Sequence, residues 1–254
     1  MPLQIYLAAA PDRLGTVRRY ALPPAHAAYR IGPDGRLASL PLPPSLRGGL
    51  LMLTDRGAPD TWDPALLCRD LVWECRRRSA IGVVLDFLSP PNASSARFAA
   101  LLDGELQRQQ RRFYVPEIWA PCVKNGCVLI CSAISGGRLR DRLAEAAARV
   151  APRSAALDCQ RLAMDFLLPS PNGEGAPLTL ARLDELRRGC TAYYSDTLGA
   201  RYFTYRAGDR THFVLFDDAE TLRRKLALAG ELGYRAAFLM LPEVEDLLEE
   251  LFRK

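Results

Sequence analysis

The stretch Ile81–Phe87, IGVVLDF, decides the fold. It is an almost continuous apolar run that ends before the Pro90-Pro91-Asn92 break, as a parallel strand covered on both sides requires. Upstream, Leu67, Cys68, Leu71, Val72 and Cys75 recur at helical spacing over 65–78. Downstream, Phe98, Leu101, Leu102 and Leu106 do the same over 94–109. The central strand is thus predicted between two amphipathic helices.

The alternation extends in both directions. Leu3–Ala8, Ala27–Ile31 and Gly49–Thr54 read as strands before the central run, and Phe113–Trp119, Cys127–Ile134, Ala155–Ala163 and Arg235–Leu241 as strands after it. Leu139, Leu143, Ala146, Ala147 and Val150 mark a helix, and Val244, Leu247, Leu248 and Leu251 carry the last one. The helix over 218–232 opens on Asp217 with Glu220 three residues later, which resembles a capping box, and stops at Gly233. Eight strands alternating with helices predict an α/β barrel or a doubly wound sheet. Residues 9–26 and 32–47 are rich in Pro, Arg and Gly, so outer helices there are expected to be reduced or missing. One segment breaks the pattern. Tyr202–Phe216 alternates with period two around Gly208-Asp209, a β-hairpin signal, and belongs to an insertion spanning 169–216 within a single domain, 1–254.

The chain has 254 residues, 49% hydrophobic and 25% charged, the balance of a globular domain with a sizeable core. It shows no apolar run near the ~18 residues of a membrane helix and no signal-peptide pattern at its start, so no membrane partner and a cytoplasmic location are expected. Seven cysteines form no CxxC pair, and with only His26 and His212 beside them no zinc-type spacing exists. Neither a metal nor a cofactor is expected, and the thiols are expected to be reduced. The net charge of +5 is modest. Its one basic cluster, Arg76–Arg78, reads as a solvated helix end complementing the helix dipole, with no nucleic-acid partner.

The C-terminal half resembles a known family. The segment ARYFTYRAGDRTHFVLFDDAETLRRKLALAGELGYRAAFLML is similar to the closing segment of family 18 glycoside hydrolases, particularly their spore-cortex branch, with Tyr202, Phe203, Tyr205, His212, Asp218 and Lys225-Leu226 at equivalent places. Met164–Pro169 resembles the family's Tyr-Asp-Trp-x-x-Pro loop after strand seven, and Gly136-Gly137 its Gly-Gly after strand six. The resemblance spans residues 80–242 and implies a single (β/α)₈ TIM barrel. It also implies substrate-assisted hydrolysis, in which a glutamic acid protonates the leaving oxygen while the substrate's acetamido group attacks.

The residues at the family's catalytic positions depart from that chemistry. Strand four of the family reads Asp-x-Asp-x-Glu, acids on one face; here Val84, Asp86 and Leu88 take those places, and leucine donates no proton. The acetamide-orienting Met-x-Tyr-Asp maps to Cys131–Ile134, and the strand-eight tryptophan to Met240. The resemblance therefore implies a non-catalytic member, binding an N-acetylglucosamine-containing glycan or a protein partner, with spore association by analogy alone. Two alternatives stand beside it. One is an active glycosidase with relocated carboxylates, for which Asp86, Glu117 and Asp165 are the candidates; the other is a scaffold with its mouth plugged by Leu88, Ile134 and Met240. Glu117 and Trp119, at one parity near the end of a strand, suit sugar binding, since an indole packs on a pyranose and an acid takes hydroxyls. Asp55 is a further candidate for the mouth. Asp158 and Gln160 share a face and are placed in an interior network with Asp86. His26 and His212 are expected to serve packing or surface roles.

Overall fold

The computed structural model describes residues 3–151, 154–170 and 172–253; the ends of the 1–254 span and Pro171 of the insertion lie outside them. In chain order come β1 (Gln4–Ala9), α1 (Leu14–Arg19), β2 (Pro24–Ile31), β3 (Leu37–Ser39), β4 (Leu50–Thr54), α2 (Pro64–Arg77), β5 (Gly82–Asp86) and α3 (Ala93–Arg108). There follow β6 (Arg112–Pro116), β7 (Cys127–Cys131), α4 (Leu139–Val150), β8 (Ala155–Asp158), β9 (Ala163–Leu168), β10 (Ala176–Pro177), α5 (Leu180–Arg187) and β11 (Tyr193–Ser195). The chain closes with β12 (Ala200–Ala207), β13 (Arg210–Phe216), α6 (Ala219–Glu231), β14 (Ala236–Met240), α7 (Leu241–Val244) and α8 (Leu248–Phe252).

Eight parallel strands, β1, β2, β4, β5, β6, β7, β8 and β14, form a closed ring, since β1 pairs with both β2 and β14. This is the (β/α)₈ barrel, not the doubly wound sheet. Its outer layer is thin where the composition predicted. α1 is a six-residue helix, and β3, antiparallel to β2, stands where a helix would join β2 to β4. The central strand depends on Gly82, where a Cβ would lie 2.0 Å from the Arg112 carbonyl oxygen of β6. Only glycine admits that close approach.

The barrel interior is apolar through most of its depth. Tyr6, Ala8, Ala25, Leu50, Met52, Val84, Tyr114, Ala156 and Phe238 fill it, with Tyr6 stacked on Phe238 at 5.1 Å and Tyr114 edge-on to Phe238 at 4.9 Å. Arg112, first residue of β6, bonds the Tyr6 hydroxyl and lies 6.0 Å from its ring. The larger core lies outside the ring, between strands and helices. Here one reading of the basic cluster changes. Arg78 is buried, bonded to Glu74 and to the Pro43 carbonyl at 2.8 Å, while the Tyr29 hydroxyl donates to the same glutamate. It fastens the loop before β4 to the end of α2 and is not solvated.

Several boundaries shift for physical reasons. β6 stops at Pro116, which has no N–H to continue a ladder, and Glu117–Cys122 forms a 3-10 turn containing Pro121. β7 ends at Cys131, short of Ile134. The run 155–163 is not one strand: β8 ends at Asp158, and Ala163 opens β9 in a second sheet. That sheet is antiparallel, ordered β10-β9-β13-β12-β11, and lies outside the barrel wall. Met164–Leu168 is therefore strand and not loop. The hairpin is present as β12–β13, with Gly208 at φ 61° in its turn. One face of the second sheet, with Phe166 and Leu215, packs with Ala133 after β7; the other, with Phe203, Val214 and Phe216, is covered by Leu183 of α5. The cap of α6 sits one residue later than expected: Asp218 and Thr221 form the reciprocal box, and Asp217 turns inward.

Candidate functional site

Barrels of this class carry their sites at the C-terminal ends of the strands. Alternation from the interior residues Met52, Val84, Ala156 and Phe238 directs Thr54, Asp86, Asp158 and Met240 into that mouth. Two recesses flank it. One of about 200 Å³ is lined by Ala27, Arg30, Leu40, Met52, Thr54 and Asp86. The other, about 350 Å³, runs between the mouth and the second sheet past Gln160, Leu162, Met164, Leu178 and Glu243.

The carboxyls of the mouth are raised above the ordinary carboxylate range. Burial pushes Asp158 up to about 6, against the opposing hydrogen bond from Gln160 Nε2 at 2.9 Å, with the charges of Glu243 and Asp86 adding to the rise. Asp86 is raised by burial, with Arg56 opposing and Asp55 adding. Glu243 is raised by burial too, partly offset by the Arg161 N–H that it accepts. A carboxyl that is protonated donates a hydrogen bond, whereas an ionised one only accepts, and Asp158 passes between the two states around pH 6. Together with the Gln160 amide, the mouth thus offers both donors and acceptors to hydroxyl groups.

The other sequence candidates are elsewhere. Leu88 lies beyond the end of β5, is 62% exposed, and its N–H donates to Asp55 Oδ1 at 3.0 Å. Asp55 Oδ2 accepts the Ser89 N–H at 3.0 Å, so this carboxylate holds the β5–α3 loop and is not presented to the mouth. Glu117 is turned toward α4 by the 3-10 turn and ion-paired to Arg142 and Arg149. Trp119 does not share a strand face with it; the indole is 1% exposed, packed edge-on against Phe87 at 5.1 Å in the outer core. Asp165 accepts the Tyr205 hydroxyl at 2.7 Å and pairs with His212 Nδ1 at 3.0 Å on β9, β12 and β13, so His212 has a definite polar partner. His26 is buried with Nε2 3.1 Å from the Gly48 carbonyl oxygen, and burial lowers its pKa. The expected plug is absent as such. Leu88 is solvated and Ile134 packs on the outer core, leaving Met240 as the member inside the ring.

Of the residues that do meet in the mouth, Glu243 escaped the sequence reading. Its signal was its place three residues past the last barrel strand, where loop-borne site residues gather. Among the described residues no three His, Cys, Asp or Glu side chains converge as a metal site, and no helix is long and apolar enough to cross a membrane.

Closed ring, polar mouth at the strand ends and a sheet inserted before the last strand define a (β/α)₈ barrel with an inserted second sheet. More particularly, the chain has the fold of the family 18 glycoside hydrolases. The spore cortex-lytic enzyme SleL of Bacillus megaterium superposes with TM-score 0.64 at 18% identity, over 99% of this chain and 74% of that chain. A family 18 N-acetylglucosaminidase from Paenibacillus barengoltzii gives 0.68 at 12% identity over 99% of both chains. A family 18 chitinase from Cycas revoluta, in complex with (GlcNAc)₃, gives 0.66 at 14% identity over 98% of both. No protein-family model matches the sequence, and no curated protein is similar to it at sequence level.

Proposed function

We propose that the chain binds an N-acetylglucosamine-containing glycan across the barrel mouth and does not hydrolyse it. The observation that carries this reading is Leu88, a solvated leucine at the place of the family's proton donor, in a loop tied down by Asp55. General acid catalysis contributes roughly 10²–10⁴ in rate, and the acetamide-orienting positions hold Cys131, Ser132, Ala133 and Ile134. What the mouth retains, Asp86, Asp158 and Gln160 between two recesses, suits the holding of sugar hydroxyls. The fold shared with a chitinase in complex with (GlcNAc)₃ supports that ligand class.

One observation favours hydrolysis as the second reading. Asp158, held near 6, shares the mouth with Asp86, and a protonated acid opposite a second carboxyl is what glycosidases employ. Titration calorimetry with N-acetylglucosamine oligomers, beside a reducing-end assay, separates the two. Saturable binding without turnover, weakened at least tenfold by Asp86→Asn, is the expected result. Turnover that disappears in Asp158→Asn would establish hydrolysis by relocated acids. No binding of any oligomer would remove the glycan reading and leave a protein partner as the occupant to seek.

A further inference from the structure

On the outside of the barrel wall, away from the mouth, α2 turns one stripe outward: Ala65, Arg69, Trp73 and Arg76, which helical spacing places on one face. Trp73, in the middle of it, is 61% exposed. The other two tryptophans are packed, Trp62 edge-on to Phe98 at 5.4 Å and Trp119 in the outer core. A recess opens on each side of the exposed indole. One, of about 610 Å³, reaches β3 past Tyr29 and Leu37; the other, of about 410 Å³, runs between α2 and α3 past Val72 and Leu101. The larger one lies where the barrel lacks a helix. Tyr29 of β2 points to the outer core, and the connection from β2 to β4 supplies β3 in place of the covering helix.

The carboxylates of this face are already engaged. Arg36 holds Asp70 through two bonds of 2.6 and 2.9 Å, and Arg77 and Arg78 share Glu74. Arg108 binds Glu105, and Asp34 accepts the Arg36 N–H at 3.0 Å. Among the described residues, Arg76 bonds the neutral Gln109 side chain at 3.2 Å and no carboxylate, and Arg69 makes no hydrogen bond or ion pair. Two uncompensated guanidiniums therefore flank the indole, one turn before it and one turn after it. The helix dipole accounts for Arg76 at the end of α2 but not for Arg69 in its middle. An exposed tryptophan between arginines is the composition of an interface hot spot.

We propose that this face docks an acidic amphipathic helix of a partner protein, its apolar side seated on Trp73 and its carboxylates on Arg69 and Arg76, beside the place of the missing barrel helix. The stripe from Ala65 to Arg77 is about 18 Å long, room for about three helical turns. Apolar anchors at helical spacing in a groove are how such segments bind. The charges select the occupant. A second copy presenting the same face would set Arg69 and Arg76 against arginines. Two free cations are few for a nucleic acid, whose affinity rests on neutralising many phosphates. A sugar would stack on the indole and leave both cations unused. The proposal does not depend on the reading of the mouth.

The probe is a fluorescein-labelled peptide of about 20 residues, long enough to form a helix, with leucine at third-and-fourth spacing and glutamate elsewhere. Its lysine counterpart, a DNA duplex and N-acetylglucosamine oligomers, labelled alike, are titrated beside it. Anisotropy is expected to rise saturably with the acidic peptide and not with the lysine peptide. Affinity should fall at least about tenfold in Trp73→Ala and, independently, in the charge-reversed Arg69→Glu/Arg76→Glu. Both are surface changes, so melting curves should match wild type, and glycan binding at the mouth, where it occurs, stays unchanged. An acidic peptide that fails to bind, or binds either variant with undiminished affinity, would overturn the proposal. So would DNA or oligosaccharide binding lost in Trp73→Ala, or a dimer that this variant dissociates in sedimentation, since each names a different occupant.

Discussion

Lys225 Nζ lies 2.7 Å from Asp217 Oδ2, and neither side chain reaches solvent. The same carboxylate accepts the Leu162 N–H at 2.9 Å and the Thr221 hydroxyl at 2.8 Å, while the Asp217 N–H donates to the Leu162 carbonyl at 2.9 Å. Leu162 and Asp217 are the two points where the chain leaves the barrel for the second sheet and returns, so the ion pair between Asp217 and Lys225 of α6 pins both ends of that excursion.

Removing one member of a buried pair strands the other. Lys225→Met is expected to cost about 3–5 kcal/mol, because the buried Asp217 side chain is left without its partner. The double variant Lys225→Met/Asp217→Asn should lose less than the sum of the singles, as residues in one network do. Urea unfolding of the three proteins checks this; a Lys225→Met protein as stable as wild type would contradict it.

Asp158 makes stability depend on pH in the direction opposite to a salt-bridged carboxylate. Its folded value of about 6 exceeds the unfolded value, so the contribution is full below about pH 4 and is lost as pH rises through 6. Asp158→Asn, which also accepts from Gln160, should therefore be more stable than wild type at pH 7.5, by at most ~3 kcal/mol. The gain should vanish at pH 4. Thermal melts of both proteins across that range would expose a wrong sign at once.

Gly82→Ala should be among the most damaging conservative changes in the barrel. Its methyl would fall inside the Arg112 carbonyl of β6, and backbone on both sides leaves no flexible group to yield. A loss above about 3 kcal/mol, or failure to fold, is expected, since overpacking ordinarily costs about 1–3 kcal/mol where side chains can adjust. Circular dichroism and unfolding curves suffice.

Glu117→Gln distinguishes a structural clamp from a catalytic or sugar-binding acid. Two arginines of α4 engage the carboxylate in a partly solvated setting, so the loss should be about 1 kcal/mol. Binding at the mouth should be unchanged. A variant that keeps its stability but loses glycan affinity would return Glu117 to the site.

Much of the architecture was legible because it depends on local period. The apolar run around Val83 and Leu85, the helical spacing of Leu67 to Cys75 and the alternation from Tyr202 to Phe216 each name their element without reference to the rest of the chain. That Leu88 can donate no proton was equally visible, since this is a property of the residue alone. Glu117 and Trp119 were misplaced because alternation holds only while a strand continues. Pro116 ends β6, the 3-10 turn rotates the next residues, and one side chain goes to the arginines of α4 while the other goes beneath the loops.

Residue types and their spacing were thus sufficient for the eight-strand alternation, the main helices and the hairpin, though not for every strand end. Closure of the ring through β1, β2 and β14 joins residues more than 200 positions apart, and only the folded chain decides it. The same is true of which carboxylates share the mouth. Asp86, Asp158 and Glu243 come from β5, β8 and α7 after β14, whereas Asp165, equally prominent in sequence, is held by Tyr205 and His212 in the second sheet. Burial and the charges of distant neighbours, which raise Asp158 toward neutrality, exist only once those strands stand side by side.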